Sequence, residues 1–356
     1  MSQPRLIFDA HLDMAWNALD WNRNLELPLA GIRQFESQFD GIIPGENTVS
    51  WYEMKRSRIG MSICTLLPRL HRKHRPLSHF QSPEAAYATC VGQMTYYRAL
   101  AKRGYLREIR NLVDLEDHVG NWLSSTDGVL PIGYIVSMEG ATGFLQPEQA
   151  GEWYDAGLRL VGPAHYGPNR YCHGTASEGG LSADGRRLIE EMDRVGLILD
   201  VTHLADQSMA EALDLYGGPV IASHHNCRAL VPADRQLTDD QIRQLVKRDT
   251  VIGAAFDNWM IKPGWVIGQS DPSTIKMADI IGHINHICQL AGSSKHCGIG
   301  TDLDGGYGKE QSPSDLDTIA DLTRFAELLS ERGYSDDDVE GIMYRNYIDF
   351  FRRARS

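Results

Sequence analysis

The strongest constraint on this chain is a rhythm: short apolar runs recur along it, most of them separated by amphipathic stretches of helical length. The runs cover residues 6–13, 60–67, 130–138, 157–162, 196–202, 219–223, 251–256 and 297–301. Between them the sequence predicts helices over 83–102, 183–195, 205–216, 239–248, 273–290 and 314–332. Ser82 is a ready N-cap with Pro83 at the first helical position, and the 183–195 stretch ends against Gly196. Strands alternating with helices imply a parallel sheet joined by crossovers. Eight such units in about 300 residues fit an α/β chain closed into a (β/α)8 TIM barrel better than an open sheet. Periodicity does not prove closure, so a doubly wound open sheet stays as the alternative.

Three regions depart from the rhythm. Residues 14–59 are too long for a simple connection and carry Trp16, Trp21 and Trp51, which suits an elaborated segment covering the mouth beside the first strand. Residues 67–82 are basic and include His71, His74 and His79, a pattern read as a solvated loop. Residues 166–182 are rich in Gly and polar side chains, as pocket-forming loops are. With no repeat, low-complexity tract or linker, residues 1–356 read as one domain ending in a helical tail.

A formal charge of -12 removes the broad basic surface that nucleic acid or anionic membrane would need. Small-molecule chemistry is the default. The six cysteines, Cys64, Cys90, Cys172, Cys227, Cys288 and Cys297, form no CxxC pair and are expected as reduced thiols. The first strand begins almost at once, leaving no room for a signal core, and no stretch approaches the roughly 20 apolar residues of a membrane helix. A cytoplasmic, soluble protein is the expectation.

The ends of the runs share a chemistry. In a strand, His11 and Asp13 project from one side about 7 Å apart. Other runs finish at Glu139, at His165, at His203, at His224-His225 and at Asp302 with Asp304. A lone His at such a place is more often a core or loop residue than a ligand. Six coincident endings at one barrel mouth reverse that preference, because imidazole and carboxylate are both metal-ligand types.

These residues sit in motifs that resemble the membrane dipeptidases, the renal dipeptidase-like branch of the metal-dependent amidohydrolases. The motifs are Asp9-Ala-His-Leu-Asp13, Met138-Glu-Gly140, His165 with Asn169, Asp200-Val-Thr-His203, Ala222-Ser-His-His225, Arg235-Gln-Leu-Thr-Asp-Asp240 and Gly298-Ile-Gly-Thr-Asp-Leu-Asp-Gly305. Ile342-Met-Tyr-Arg-Asn346 in the tail is similar too. The resemblance implies two Zn2+ ions, one held by His11, Asp13 and Glu139 and the other by Glu139, His203 and His224, with Glu139 as the bridge. Two divalent ions against two carboxylates leave a positive surplus that favours deprotonated water and polarises a carbonyl. Adjacent strand residues face opposite ways, so His224 and His225 cannot both point at the ions, and motif position favours His224.

The resemblance further assigns His165 to the oxyanion, Arg235 to the substrate's terminal carboxylate, and Asp302 to proton transfer between attacking water and leaving amine. Asp304 shares parity with Asp302 and competes for that last role. Asp9 is expected behind His11 as a partner rather than a ligand, while Asn169 and Tyr171 are candidate pocket residues without an assigned task. The implied reaction is zinc-dependent hydrolysis of dipeptides, including L-Xaa-D-Xaa, by a homodimer. Two other readings compete: an amidohydrolase acting on an N-acyl amino acid, cyclic amide or lactone, and a noncatalytic binding barrel. Unlike the animal enzymes, the sequence shows neither a secretion signal nor a lipid-anchor signal.

Overall fold

The computed structural model describes residues 5–39, 45–68, 80, 82–125 and 130–355. Nine strands form one parallel sheet: β1 Ile7–Leu12, β2 Ile59–Leu66, β3 Leu106–Glu108, β4 Ile132–Glu139, β5 Leu158–Gly162, β6 Ile198–Asp200, β7 Val220–Ile221, β8 Ile252–Ala254 and β9 Cys297–Ile299. Eight of them follow the order β7-β6-β5-β4-β2-β1-β9-β8, and a parallel bridge from Ala222 to Ile252 joins the two ends into a barrel. The Gly253 amide donates to the Ala222 carbonyl across that seam at 2.8 Å. Closure decides between the two architectures in favour of the TIM barrel.

Six of the eight barrel strands fall within the apolar runs, and β2 and β4 each overrun theirs by one residue. Their burial on both faces explains why the runs lack strict alternation. The ninth, β3, was not expected; it lies beside the first half of β4, Leu106 to Ile132, before β5 takes over at Val136 to Leu158. Three residues are too few to show a period. Another unexpected element is the helix Leu112–Ser124, capped by the Asn111 side chain on the Asp114 amide. The expected 273–290 helix runs instead as Met277–Ala291, behind a short 3-10 turn at Pro272–Thr274. Over 314–332 a 3-10 turn at Ile319–Leu322, opened by a Thr318/Asp321 capping box, leads into the helix Thr323–Glu331.

The segment 14–59 contributes the helices Met14–Asp20, Leu29–Glu36 and Trp51–Arg56, and residues 47–49 press on the loop after β9. The tail helix Asn346–Arg355 sends Tyr347 against β1, its ring 5.0 Å from that of Phe8, while Asn346 Nδ2 donates to the Cys297 carbonyl at 2.8 Å. Gly253 and Gly298 leave the room Tyr347 occupies. His71, His74 and His79 lie outside the described residues. Among the described residues no helix is long and apolar enough to cross a membrane.

Candidate metal centre

The carboxyl ends of the barrel strands deliver one buried cluster. His11 is on β1 and Glu139 is the last residue of β4, whereas Asp13 stands just beyond β1 at the start of Met14–Asp20. Strand alternation therefore does not govern Asp13, although its side chain still reaches the cluster. His203 and Asp302 follow β6 and β9 in left-handed backbone, φ 67° and 59°. His224 follows β7 after Ser223, whose carbonyl occupies space left by the missing side chains of Gly253 and Gly300.

Glu139 is the hub. Its Oε1 lies 3.2 Å from His203 Nε2, 3.5 Å from His224 Nε2 and 3.6 Å from His11 Nε2. His11 Nε2 is also 3.8 Å from Asp13 Oδ1 and 3.7 Å from Asp302 Oδ1. Zinc with ligands at about 2.0–2.1 Å in a tetrahedron spaces neighbouring donors about 3.4 Å apart, so these separations suit donors arranged around cations. Three overlapping triads have that character: His11, Glu139 and His224; Glu139, His165 and His203; His11, Asp13 and Asp302.

The outer hydrogen bonds point the same way. Thr175 Oγ1 is 2.9 Å from His203 Nδ1 and Ser223 Oγ 3.0 Å from His224 Nδ1, which turns both Nε2 atoms inward. The Thr65 hydroxyl donates to Asp13. His11 Nε2 is buried and has no hydrogen-bond partner among the described residues. That orphan nitrogen fits a metal ligand.

Electrostatics bind the cluster tightly. Burial depresses the His11 pKa, but Glu139, Asp13 and Asp302 outweigh it and push the imidazole up to about 10. Although burial opposes it, the Glu139 carboxyl is held well below its usual range by His11, His165 and His203. Burial, with Glu139 and Asp13 alongside, drives Asp302 well above the usual range against His11 and Arg235. A divalent cation among these groups reverses that logic, favouring neutral imidazole and ionised carboxylate.

The family model described as membrane dipeptidase (peptidase family M19) matches residues 2–356. The chain belongs to that family. Dipeptidase tcpJ of Claviceps purpurea is 30% identical over 233 residues, 62% of this chain and 52% of that protein. The chain spans about half the length of the curated relatives it matches first. Among solved structures, that of dipeptidase AC superposes with a TM-score of 0.80 at 21% identity, over 98% of both chains. A metallo peptidase from Rhodobacter sphaeroides, liganded with a phosphinate mimic of L-Ala-D-Ala, gives 0.81 at 19% identity, over 99% of this chain and 100% of its own. Both share the fold of this chain.

Around the cluster, the remaining motif residues of this M19 chain separate by position. His165 stands at the lip, its Nε2 4.0 Å from Glu139 Oε2 and its side chain 21% exposed. Arg235 is buried, donating from Nη2 to the His224 carbonyl at 2.9 Å, while its buried Nη1 has no hydrogen-bond partner among the described residues. Asp304 turns away from the cluster and accepts from the Thr48 amide and hydroxyl, the Val49 amide and Asn47, with Arg23 3.7 Å away. It fastens the 14–59 segment. His225 belongs to none of the triads; its amide donates to the Gly253 carbonyl at 2.7 Å.

Asp9 departs from its expected place. Instead of backing the His11 ring, it accepts from the His11 amide and from the Thr301 amide and hydroxyl, tying β1 to the residue before Asp302. Burial lifts its pKa to about 6. Asn169 and Tyr171 shape the loop rather than the pocket: Asn169 bonds the Pro163 carbonyl and the Tyr171 and Cys172 amides, and Tyr171 is 1% exposed. Thr65 on β2, with Thr175 and Ser223 in loops, are neighbours of the cluster to which the sequence reading gave no role. A lone hydroxyl carries no signal until the fold sets it beside a carboxylate or an imidazole.

Proposed function

We propose that this chain is a zinc-dependent dipeptidase. The observation that carries the reading is the single oxygen of Glu139 faced by three imidazole Nε2 atoms, those of His203, His224 and His11, at 3.2, 3.5 and 3.6 Å. His11, Asp13 and Glu139 would hold one ion, and Glu139, His203 and His224 the other. When bound, the ions supply an activated water and polarise the scissile carbonyl.

The chain's own groups do the rest. His165, at the lip, donates to the oxygen on which negative charge develops, a contribution of about 3 kcal/mol. Asp302 stands against the cluster, its Oδ1 and Oδ2 3.7 and 3.9 Å from His11 and His224, and carries the proton from the attacking water to the departing amine. Arg235, with a buried nitrogen lacking a partner among the described residues, takes the C-terminal carboxylate by a charge-assisted bond. That anchor accounts for a dipeptide rather than a longer chain. It also weighs against a lactone or cyclic amide, which brings no carboxylate to pair with it.

The Rhodobacter sphaeroides structure, with its mimic of L-Ala-D-Ala, supports extending the substrates to L-Xaa-D-Xaa. A cytoplasmic homodimer completes the reading, in keeping with six cysteines that are all free thiols. Its test is a panel of L-Xaa-L-Xaa and L-Xaa-D-Xaa dipeptides assayed on metal-stripped and zinc-reconstituted protein. Hydrolysis restored by zinc, with about two ions per chain by elemental analysis, is expected. A zinc-loaded protein that cleaves no member of the panel would end the proposal.

A further inference from the structure

One acid at the barrel mouth has no task in the chemistry above. Asp257 lies three residues beyond β8, directly after an apolar run whose last residue, Phe256, offers no ligand. β8 and β9 pair as Ile252 to Cys297, Gly253 to Gly298 and Ala254 to Ile299, and the Phe256 amide continues the match by donating to the Thr301 carbonyl at 3.0 Å. Asp257 is the residue after Phe256, as Asp302 is the residue after Thr301. Both acids act on the phenol of Tyr307, which donates to the Thr301 carbonyl.

The turn that carries Asp257 is also clamped to the Arg235 loop. Asn226 Nδ2 donates to the Ala255 and Met260 carbonyls at 3.0 and 3.3 Å, and Asn226 Oδ1 accepts from the Ala255 amide. Gln236, the neighbour of Arg235, donates to the same Met260 carbonyl at 2.9 Å. The Arg235 guanidinium acts electrostatically on Asp257 and on Asp302 alike, yet forms no ion pair with either within 4.0 Å. Arg235 and Asp257 are thus carried on two turns bonded to each other.

Asp257 is 6% exposed and holds Gln311 Nε2 at 2.7 Å and the Trp259 amide at 3.4 Å, both on Oδ1. The Trp259 side chain contributes a further bond. A carboxylate offers about four acceptor sites, so capacity is left for another donor. Burial raises its pKa to about 7, which leaves it ionised at pH 8.

We propose that Asp257 sets side-chain preference at the C-terminal residue of the substrate, selecting dipeptides whose C-terminal side chain ends in a cationic nitrogen. The inference rests on the dipeptidase reading, since Arg235 must hold the terminal carboxylate for the adjoining side chain to meet Asp257. The N-terminal residue lies across the scissile bond from Arg235 and has no such acid assigned to it. Selection is therefore confined to one side of the bond.

The test compares L-alanyl-L-lysine with L-alanyl-L-norleucine, and L-lysyl-L-alanine with L-norleucyl-L-alanine, on zinc-loaded protein at pH 8. Wild type is expected to prefer the C-terminal lysine over norleucine by about tenfold or more in kcat/KM, mainly through KM. Asp257→Asn, which keeps an acceptor for Gln311, is expected to bring that ratio within about twofold. The ratio for the N-terminal pair should stay the same in both proteins. Asp257→Glu, which retains the charge, should restore part of the preference and guards against a merely structural effect. An equal rate on both C-terminal substrates by wild type, or a preference unaltered in Asp257→Asn, overturns the inference while leaving the dipeptidase reading intact. Failure of wild type to cleave any of the four overturns both.

Discussion

Gly305 stands where any larger residue would strike the carboxylate of Asp302: a Cβ there would overlap Asp302 Oδ1, and the Gly305 amide already donates to the Asp302 carbonyl at 2.9 Å. The turn is tight because Asp302 itself sits at φ 59°. The acid is thus aimed by the absence of a side chain three residues on. Gly305→Ala should displace the carboxylate while leaving His11, Asp13, Glu139, His203 and His224 in place. Because a positioned acid or base contributes about 10²–10⁴-fold, kcat on a dipeptide is expected to fall by about 10²-fold or more, with KM and zinc content little changed. A variant of full activity would mean that Asp302 is not the proton carrier.

Thr175 and Ser223 hold the outer nitrogens of His203 and His224 at 2.9 and 3.0 Å. Losing such an orienting partner typically weakens a metal site by about 10- to 100-fold. Thr175→Val keeps the shape and removes the hydroxyl, so zinc affinity measured by competition with a chelator should drop by about that amount. Activity at saturating zinc should largely return. Undiminished affinity would show that the Thr175 hydroxyl does not orient the His203 imidazole.

How much of this is legible in the sequence depends on what each feature needs. Barrel strands are legible because a strand buried on both faces is an apolar run wherever it lies, and all eight match. The convergence of His11, Asp13, Glu139, His203 and His224 is legible because each ends or closely follows such a run. Choosing between Asp302 and Asp304 was beyond any strand argument. Both have left-handed backbone, φ 59° and 61°, so alternation no longer says where they point, and only the contacts of Asp304 with residues 47–49 separate them. The same limit applies to Asp9, whose partner Thr301 is 292 positions away. β3, with three residues, carries no period to detect.

His118 offers a pH test away from the metal centre. It lies in the helix Leu112–Ser124, buried at 2% exposure, with Nε2 2.9 Å from the Gly60 carbonyl and its ring filling space that Gly133 leaves open. Burial lowers its pKa to about 4, the Gly60 bond opposing only in part. The unfolded chain takes up this proton near pH 6.5 and the folded chain only near 4, so stability is full above that window and falls as pH drops through it. The loss is on the order of 3 kcal/mol by the lower edge. Urea midpoints of chelator-treated wild type and His118→Gln at pH 7.5 and 5 check this; the variant should lose less stability over the interval, and parallel behaviour would refute the assignment.

Arg235 separates substrate classes. Its Nη2 bond to the His224 carbonyl fixes the guanidinium, while the buried Nη1 has no partner among the described residues, a costly state for a cation unless a ligand completes it. If that ligand is the dipeptide carboxylate, Arg235→Lys keeps the charge but loses the fork and should raise KM by about tenfold or more, with a smaller change in kcat. Arg235→Ala should raise KM further, and amidation of the dipeptide's C-terminus should reproduce the loss in wild type while adding little to it in the variant. Those two losses are expected to overlap rather than sum, because both remove the same contact. Additive losses in kcat/KM from the substitution and the amidation would place the carboxylate elsewhere and return the cyclic amide and lactone substrates to equal standing.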